Sequence, residues 1–400
     1  MKNIIFIVLT SFILFSCEDV LIEKPKSVAE ETFYNTSSEV EAALVAIYEP
    51  LRGQNGIGGI YTAIQEAQTD YSYGRGSLTV LNAFQGLDGN YVNNTGNVWN
   101  NFYLSIRNAN IVIKNTPLGK KLTPAEVSKY VGEAKFLRAL SYFHLVRKWV
   151  VVPIRTESNM TVLEIKRSTV EEVYKLILED LVFAEANLPD VAPLVGKPSK
   201  WAVKTLLADV YFNTNKYAEA RDKAIEVIQS AKYSLVPVVV ADDFNKIFGP
   251  DVISTPEEIF YLKFSALSGF WFGRYPHHPG SKLFGGGGFY GHYTDKESNL
   301  IIKNMDQNDL RYKLWYSYNI GLGPNSLLNK KFISPNTTEP TNDLPLYRYA
   351  DVLLIYAEAV CRAGGAPTAD AVEKLNMVHR RAYGKDPKIP NAAVDFILGD

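Results

Sequence analysis

Apolar residues that recur at helical spacing are the feature that most constrains this fold. The stretches with this pattern lie at about 38–51, 98–114, 123–148, 169–188, 199–231 and 346–383. Two of them open with capping boxes, in which Thr123 precedes Glu126 and Thr169 precedes Glu172. A capping box satisfies two backbone donors at a helix start. The pattern therefore predicts a mostly helical chain, with helix starts near 123 and 169.

The stretch 199–231 indicates how two successive helices pack together. Small residues at Ala208, Ala220 and Ala224 let the helices approach, and Tyr211 and Tyr217 fill the groove between pairs. This spacing is typical of a tetratricopeptide unit. We count four helical pairs, at about 38–116, 123–188, 199–231 and 346–383. The predicted fold is a mostly α, tetratricopeptide-like scaffold of helical pairs, with long irregular loop-rich insertions and a few short strands.

Two insertions without a steady period, at about 53–96 and 233–344, interrupt the helical pairs. Both are rich in Gly and aromatic residues, and Ile259–Phe264 within the second is a predicted strand. Loops longer than about 15 residues inside a compact chain are usually functional or disordered. Their aromatic content favours an ordered, functional surface.

The N-terminus has the composition of a secretory signal. Lys2 precedes an apolar run from Ile4 to Phe15, which is shorter than the roughly 20 residues that a membrane-spanning helix needs. The run ends in Leu14-Phe15-Ser16-Cys17, which resembles the lipobox of bacterial lipoproteins, with Phe15 departing from the usual pattern. We expect a signal peptide at 1–16, acylation of Cys17, and a tether at 17–37 ahead of one domain at 38–400. An ordinary cleaved signal with an incidental Cys is the alternative.

Charge and cysteine content exclude several classes of protein. The chain has 42 Lys and Arg against 43 Asp and Glu, so it lacks the excess of positive charge that nucleic-acid binding requires. Only Cys17 and Cys361 occur, which excludes a disulfide framework and a four-cysteine zinc site.

Five segments of the sequence form a distinctive set of motifs. They are Glu133–Arg147 (EAKFLRALSYFHLVR), Val152-Pro153, Trp99 with Tyr103, Ile106, Ala109 and Asn110, Leu206–Tyr211 (LLADVY) and Arg348–Ala359 (RYADVLLIYAEA). Together these segments resemble the SusD/RagB family of Bacteroidetes outer-membrane lipoproteins, in which they occur in the same order, and the resemblance covers nearly the whole chain.

This resemblance implies a helical scaffold with a loop-rich face, anchored to the cell outer membrane by lipid and facing the exterior. It further implies a protein that captures glycans or other oligomers for a SusC-like TonB-dependent outer-membrane transporter, and that is not an enzyme. The family pattern continues into a further C-terminal segment with an Arg- and Glu-rich helix and a Trp, whereas this sequence ends at Asp400. We therefore expect the C-terminal part of the family to be missing here, which lowers the expected stability.

Two loop clusters have the side chains that a sugar site needs. A sugar ring offers apolar faces to aromatic rings and hydroxyls to planar hydrogen-bonding groups. The first cluster has Asp70, Tyr71, Tyr73, Arg75, Phe84, Gln85, Asp88 and Asn90; the second has Phe270, Trp271, Arg274, Tyr275, Phe289, Tyr290 and Tyr293, with His277, His278 and His292. The alternative is that these rings fill gaps between the loops and the helical body.

Other chemistries are weakly supported. Gly286, Gly288 and Gly291 match a nucleotide-binding spacing, but no helical period follows them. The histidines of the second cluster have no acidic residue or Cys at a supporting spacing, so we expect no metal and no cofactor. A carboxylate pair of a glycosidase is a further alternative, because its defining feature is a spacing in three dimensions and not a sequence motif. The competing functional hypothesis is an interaction subunit whose helical repeats bind a protein or peptide.

Overall fold

The computed structural model describes residues 33–83, 88–274, 291–334 and 340–399. Its helices are α1 (Ser37–Arg52), α2 (Ile60–Ala67), α3 (Thr79–Ala83), α4 (Gly89–Asn115), α5 (Pro124–Trp149), α6 (Val170–Asn187), α7 (Lys200–Asn213), α8 (Tyr217–Gln229), α9 (Asn245–Phe248), α10 (Leu300–Asn304), α11 (Tyr349–Gly364) and α12 (Ala369–Ala382). Its strands are β1 (Tyr73–Gly74), β2 (Val152–Pro153), β3 (Arg167–Ser168), β4 (Glu258–Leu262), β5 (His292–Asp295), β6 (Trp315–Ser317), β7 (Ser326–Asn329) and β8 (Leu344–Arg348).

The long helices pack in antiparallel pairs that follow one another along the scaffold. The pairs are α1 with α4, α5 with α6, α7 with α8, and α11 with α12, and each pair contacts the next. Thr123 and Thr169 form the predicted capping boxes at the starts of α5 and α6. The predicted fold class is confirmed: a helical-pair scaffold with long insertions and a few short strands.

Helix α5 is the centre of the core because it is apolar around most of its girth. Most of its residues from Tyr130 to Val146 are buried. Phe136 on α5 packs edge-on against Phe260 of β4, with ring centroids 5.0 Å apart. This contact fixes the second insertion onto the helical scaffold.

The first insertion is more helical than the sequence predicted. It contains α2 and α3, and α4 begins at Gly89, nine residues before the predicted start near Val98. Asp88 caps α4 by accepting a hydrogen bond from the Tyr91 amide at 2.8 Å. The prediction was wrong here because residues 89–97 lack an apolar period, so the helix depends on its cap and on the chain that follows it.

The insertions meet in a four-stranded antiparallel sheet of order β1-β5-β7-β6. Strand β1 comes from the first insertion and the other three strands from the second. The predicted strand near Ile259 is present as β4, which pairs with β8 directly before α11. The four-stranded sheet therefore joins two segments that lie more than 200 residues apart in sequence.

A buried carboxylate holds the second insertion against the last helical pair. Glu257 is fully buried and accepts hydrogen bonds from Arg348 Nη1 at 3.0 Å, Arg381 Nη1 at 2.5 Å and the Val236 amide at 3.1 Å. Burying these charges is costly unless each is paired, and here both guanidinium groups share one carboxylate.

Candidate functional site

The pairing of β1 with β5 brings the two predicted aromatic clusters together. Tyr73 lies opposite Tyr293 in the register, and their ring centroids are 5.5 Å apart. Beyond the strand, the Arg75 amide donates to the Gly291 carbonyl at 2.9 Å. Both tyrosine rings are half-buried, so one face of this pair is accessible at the sheet edge.

Asn82 fixes the loop that carries Tyr71 and leads into β1. Its Nδ2 donates to the carbonyls of Ala67 at 2.7 Å and Ser72 at 3.1 Å, and its Oδ1 accepts from the Gly74 amide at 2.5 Å. One amide side chain thus satisfies three backbone groups of a tight loop. Asn82 is therefore a positioning residue for Tyr71.

Beside this loop lies a cavity of about 100 Å³. Its lining residues are of two kinds. Three are buried, namely Ser72, Phe272 and His292, and six are half-buried, namely Glu66, Tyr71, Trp315, Asn329, Lys331 and Phe332. Tyr71 and Trp315 meet edge to face, with centroids 6.2 Å apart. The Tyr71 hydroxyl donates to the Glu66 carboxylate. Burial, and secondly this carboxylate, raise the pKa of Tyr71, so its hydroxyl stays a donor at neutral pH.

A second cavity of about 620 Å³ adjoins the first and shares Tyr71, Trp315, Asn329 and Lys331 with it. The remainder of its wall is apolar except for Asp309, Arg311, Arg348 and Arg381. We call the two adjoining cavities the Trp315 cleft. Their shared residues place one indole, one phenol, one amide and one ammonium where the cavities meet.

Lys331 is half-buried and faces aromatic rings in the cleft. Its Nζ lies 4.6 Å from the ring centroid of Phe248 and 5.2 Å from that of Phe332. The backbone amide of Lys331 donates to Asn329 Oδ1 at 2.9 Å, which fixes the start of its loop. Burial lowers the pKa of the Lys331 ammonium to about 8 because an apolar wall disfavours the charged form.

Two residues of the predicted clusters belong to the interior. Phe270 is fully buried and packs against Phe264 and Phe332, so it is a core residue. His292 is buried in the cleft wall, and its Nε2 donates to the Ala63 carbonyl at 2.9 Å. Burial lowers the pKa of His292 to about 4, so it is neutral at physiological pH. Both side chains support the cleft from behind.

The remaining predicted residues are distributed unevenly. Tyr71 lines the Trp315 cleft, whereas Tyr73 and Tyr293 form the neighbouring ring pair on the sheet. Asp70 is exposed, and its backbone carbonyl accepts a hydrogen bond from Asn299. Asp70, Arg75 and Trp271 do not line the cleft, although Arg75 and Trp271 are half-buried. The others lie outside the described residues: Cys17, Phe84, Gln85, Tyr275, His277, His278, Phe289, Tyr290 and the side chains of Asn90 and Arg274. Asp88 caps α4 instead.

Two models of one family match this chain. A model described as "Starch-binding associating with outer membrane" (SusD-like) matches residues 21–212, and the model of the SusD family (SusD/RagB) matches residues 270–392. Together they cover well over half of the sequence, in the order in which the motifs occur. The chain belongs to the SusD family.

Curated SusD-like relatives occur in Formosa agariphila. SusD-like protein P25 is 28% identical over 287 residues, which cover 66% of this chain and 52% of the relative. SusD-like protein P38 is 27% identical, and the match covers 94% of this chain and 81% of the relative. The chain thus spans about half the length of the first relative and most of the second.

Solved structures of SusD proteins share the fold. A SusD superfamily protein from Parabacteroides distasonis is 25% identical, with a TM-score of 0.74 over 90% of this chain and 83% of that one. A laminarin-binding SusD-like protein is 20% identical, with a TM-score of 0.70 over 90% and 86%. A structure with xylogluco-oligosaccharide is 19% identical, with a TM-score of 0.71 over 86% and 75%.

The sequence did not predict four residues where the two cavities of this SusD protein meet or beside them: Glu66, Trp315, Asn329 and Lys331. Trp315 lies in a stretch without a helical or strand period, so a lone Trp in a loop was the only available signal. Glu66 lies on an unpredicted helix, and Asn329 and Lys331 lie at the end of an unpredicted strand. These four residues lie close together only because the strands of the sheet are ordered β1-β5-β7-β6, which the sequence pattern did not indicate.

Proposed function

We propose that this SusD protein is a surface lipoprotein that binds glycans in the Trp315 cleft and delivers them to a TonB-dependent outer-membrane transporter. The observation that carries the proposal is the half-buried pair of Tyr71 and Trp315 beside Glu66 and Asn329. The rings can cover the apolar faces of a sugar, and the carboxylate and amide can bind its hydroxyls. The laminarin-binding protein and the xylogluco-oligosaccharide structure, which share the fold, support the same ligand class.

Binding without catalysis is supported by the hydrogen bonds that the cleft carboxylates already make. Asp309 is held by Arg311, whose Nε lies 2.9 and 3.0 Å from its two oxygens. Glu66 accepts the hydroxyl of Tyr71. A glycosidase needs one carboxylic acid and one available carboxylate on either side of the scissile bond. We therefore propose that the ligand leaves this cleft unchanged.

Outer-membrane association is proposed from the family model's description and from the sequence around Cys17. In this proposal residues 1–16 are a signal peptide and residues 17–37 a tether, which place the domain on the cell exterior. Residues 1–32 lie outside the described part of the chain. Among the helices of residues 33–83, 88–274, 291–334 and 340–399, none is long and apolar enough to span a bilayer.

Replacing Cys17 with Ala is expected to release the protein from the membrane. Acyl chains contribute about 0.8 kcal/mol per buried CH2, so losing them removes the anchor. The measurement is incorporation of an alkyne-tagged palmitate in a bacterial host, together with membrane fractionation. Cys361→Ala is the matched control and should keep both label and membrane association. Label retained by C17A would show that Cys17 is not the acylated residue.

Calorimetric titration tests the glycan proposal. The full chain carrying C17A is titrated with laminarin and xyloglucan oligosaccharides and with acidic oligosaccharides. We expect binding to at least one of these glycans. A folded protein that binds none of them would contradict the proposed function.

One observation favours the second hypothesis, an interaction subunit that binds a protein through its helices. A groove of about 810 Å³ runs along α6, lined by Tyr174, Leu178 and Val182, with Asn213 and Lys216 on its far side. Val182 is 56% exposed although it is apolar. A Val182→Asp variant that loses a co-purifying protein but keeps glycan affinity would assign this groove to a partner.

A further inference from the structure

Lys331 is unusual among the cations that line the Trp315 cleft. Its ammonium makes no hydrogen bond or ion pair with any residue of the described part of the chain, and its neighbours are the rings of Phe248 and Phe332. The preceding residue, Lys330, instead pairs with Asp242 at 2.7 Å. Two adjacent lysines thus differ in whether a carboxylate neutralises them.

The other cations of the cleft are already paired. Arg348 and Arg381 share Glu257, and Arg311 is paired with Asp309. Glu66, the nearby carboxylate of the first cavity, accepts the Tyr71 hydroxyl. A half-buried ammonium without an anion is costly, and an anionic ligand group would remove that cost.

The anion would bind next to the rings of Trp315 and Tyr71, which we call the aromatic platform. Lys331, Trp315, Tyr71 and Asn329 line both cavities, so a group held by Lys331 lies at the end of the surface on which a sugar ring would stack. We propose that the ligand is an acidic glycan, whose carboxylate or sulfate group is bound by Lys331 while an adjoining ring lies against Trp315 and Tyr71. This inference rests on the proposed function and specifies its substrate class.

The proposal has a pH signature that a neutral glycan would not show. The charged groups acting on Lys331 are Arg348 and Arg381, which oppose its protonation, and Glu66 and Asp351, which favour it. A bound anion favours the ammonium, so the complex has a higher lysine pKa than the free protein. Affinity for an acidic oligosaccharide should therefore be steady between about pH 5 and 7, where its carboxylate stays ionised, and fall as the pH rises through about 8.

The test is calorimetry of the full chain carrying C17A against matched ligands. These are an oligogalacturonate, the same oligomer after reduction of its carboxyl groups, a sulfated galactan oligosaccharide and a laminarin oligosaccharide. A charged hydrogen bond contributes about 1.5–3 kcal/mol, so the preferred acidic ligand should bind about 10- to 100-fold tighter than the neutral ones. The uronate and sulfate arms identify which anion is recognised.

Lys331→Met should remove that preference, because Met preserves the apolar contacts with Phe248 and Phe332 but carries no charge. Lys330→Met is the matched control and should keep the preference, and Lys331→Arg should largely rescue it. K331M removes a desolvated cation, so its urea midpoint at pH 7 should be no lower than that of the parent, which confirms folding.

The outcomes separate the two levels of the proposal. Equal affinity for acidic and neutral oligosaccharides would overturn the acidic-glycan inference and leave the proposed function intact. A preference that survives in K331M would overturn the role of Lys331. Absence of binding to every ligand by a folded protein would overturn both.

Discussion

Replacing Trp315 with Ala is expected to weaken glycan binding about 30-fold or more. Trp at the centre of a binding surface commonly contributes 2 kcal/mol or more, which corresponds to this factor. Trp315 faces both cavities of the cleft and contacts Tyr71, so its removal eliminates the larger ring of the platform. The measurement is the dissociation constant by calorimetric titration with the tightest oligosaccharide.

Two control variants distinguish the loss of the aromatic contact with the sugar from a general loss of folded structure. Trp315→Phe retains a flat ring and should lose only part of the affinity. Trp201 is half-buried at the start of α7, away from the residues that line the cleft, so Trp201→Ala should bind like the parent. Equal affinities of W315A and the parent would remove Trp315 from the site.

Replacing Glu257 with Gln should destabilise the protein by about 3–5 kcal/mol. Breaking a buried ion pair by removing one partner leaves an uncompensated charge. Here Arg381 would lose its carboxylate partner, and Arg348 would keep only Asp351, at 3.5 Å. Both oxygens of Glu257 accept hydrogen bonds, so the NH2 group of Gln, which cannot accept, would face at least one of these donors. The measurement is the free energy of unfolding in urea, extrapolated to water.

A surface pair of the same chemistry provides the control. Glu358 and Arg362 pair at 2.7 Å on α11 with about half of each side chain exposed. Exposed i,i+4 pairs contribute about 0.3–0.5 kcal/mol, so Glu358→Gln should change the stability little. Comparable losses for E257Q and E358Q would show that the buried carboxylate does not hold the insertion to the last helical pair.

The scaffold was predictable because its signals are local. The capping box of Thr123 and Glu126, followed by a long apolar period, specifies α5 without reference to other parts of the chain. Helix α4 was predicted nine residues short, because its first turns depend on the Asp88 cap and not on an apolar stripe. Helix starts were thus predicted where a cap and a period coincide.

The cleft was only partly predictable because a sheet of four short strands assembles it. Composition marked Tyr71 and the pair Tyr73 and Tyr293 as candidates, but it marked the core residue Phe270 equally. Trp315 and Lys331 join Tyr71 only through the order β1-β5-β7-β6. That order depends on pairing between distant segments, and strands of two to four residues carry too little pattern to specify it.

The structure of the protein saturated with its tightest oligosaccharide tests the central claim most directly. We expect density for a sugar ring against Trp315 and Tyr71, with hydroxyls or an acidic group within hydrogen-bonding distance of Glu66, Asn329 or Lys331. An oligosaccharide bound in the groove along α6, or anywhere that leaves the Trp315 cleft empty, would contradict the account.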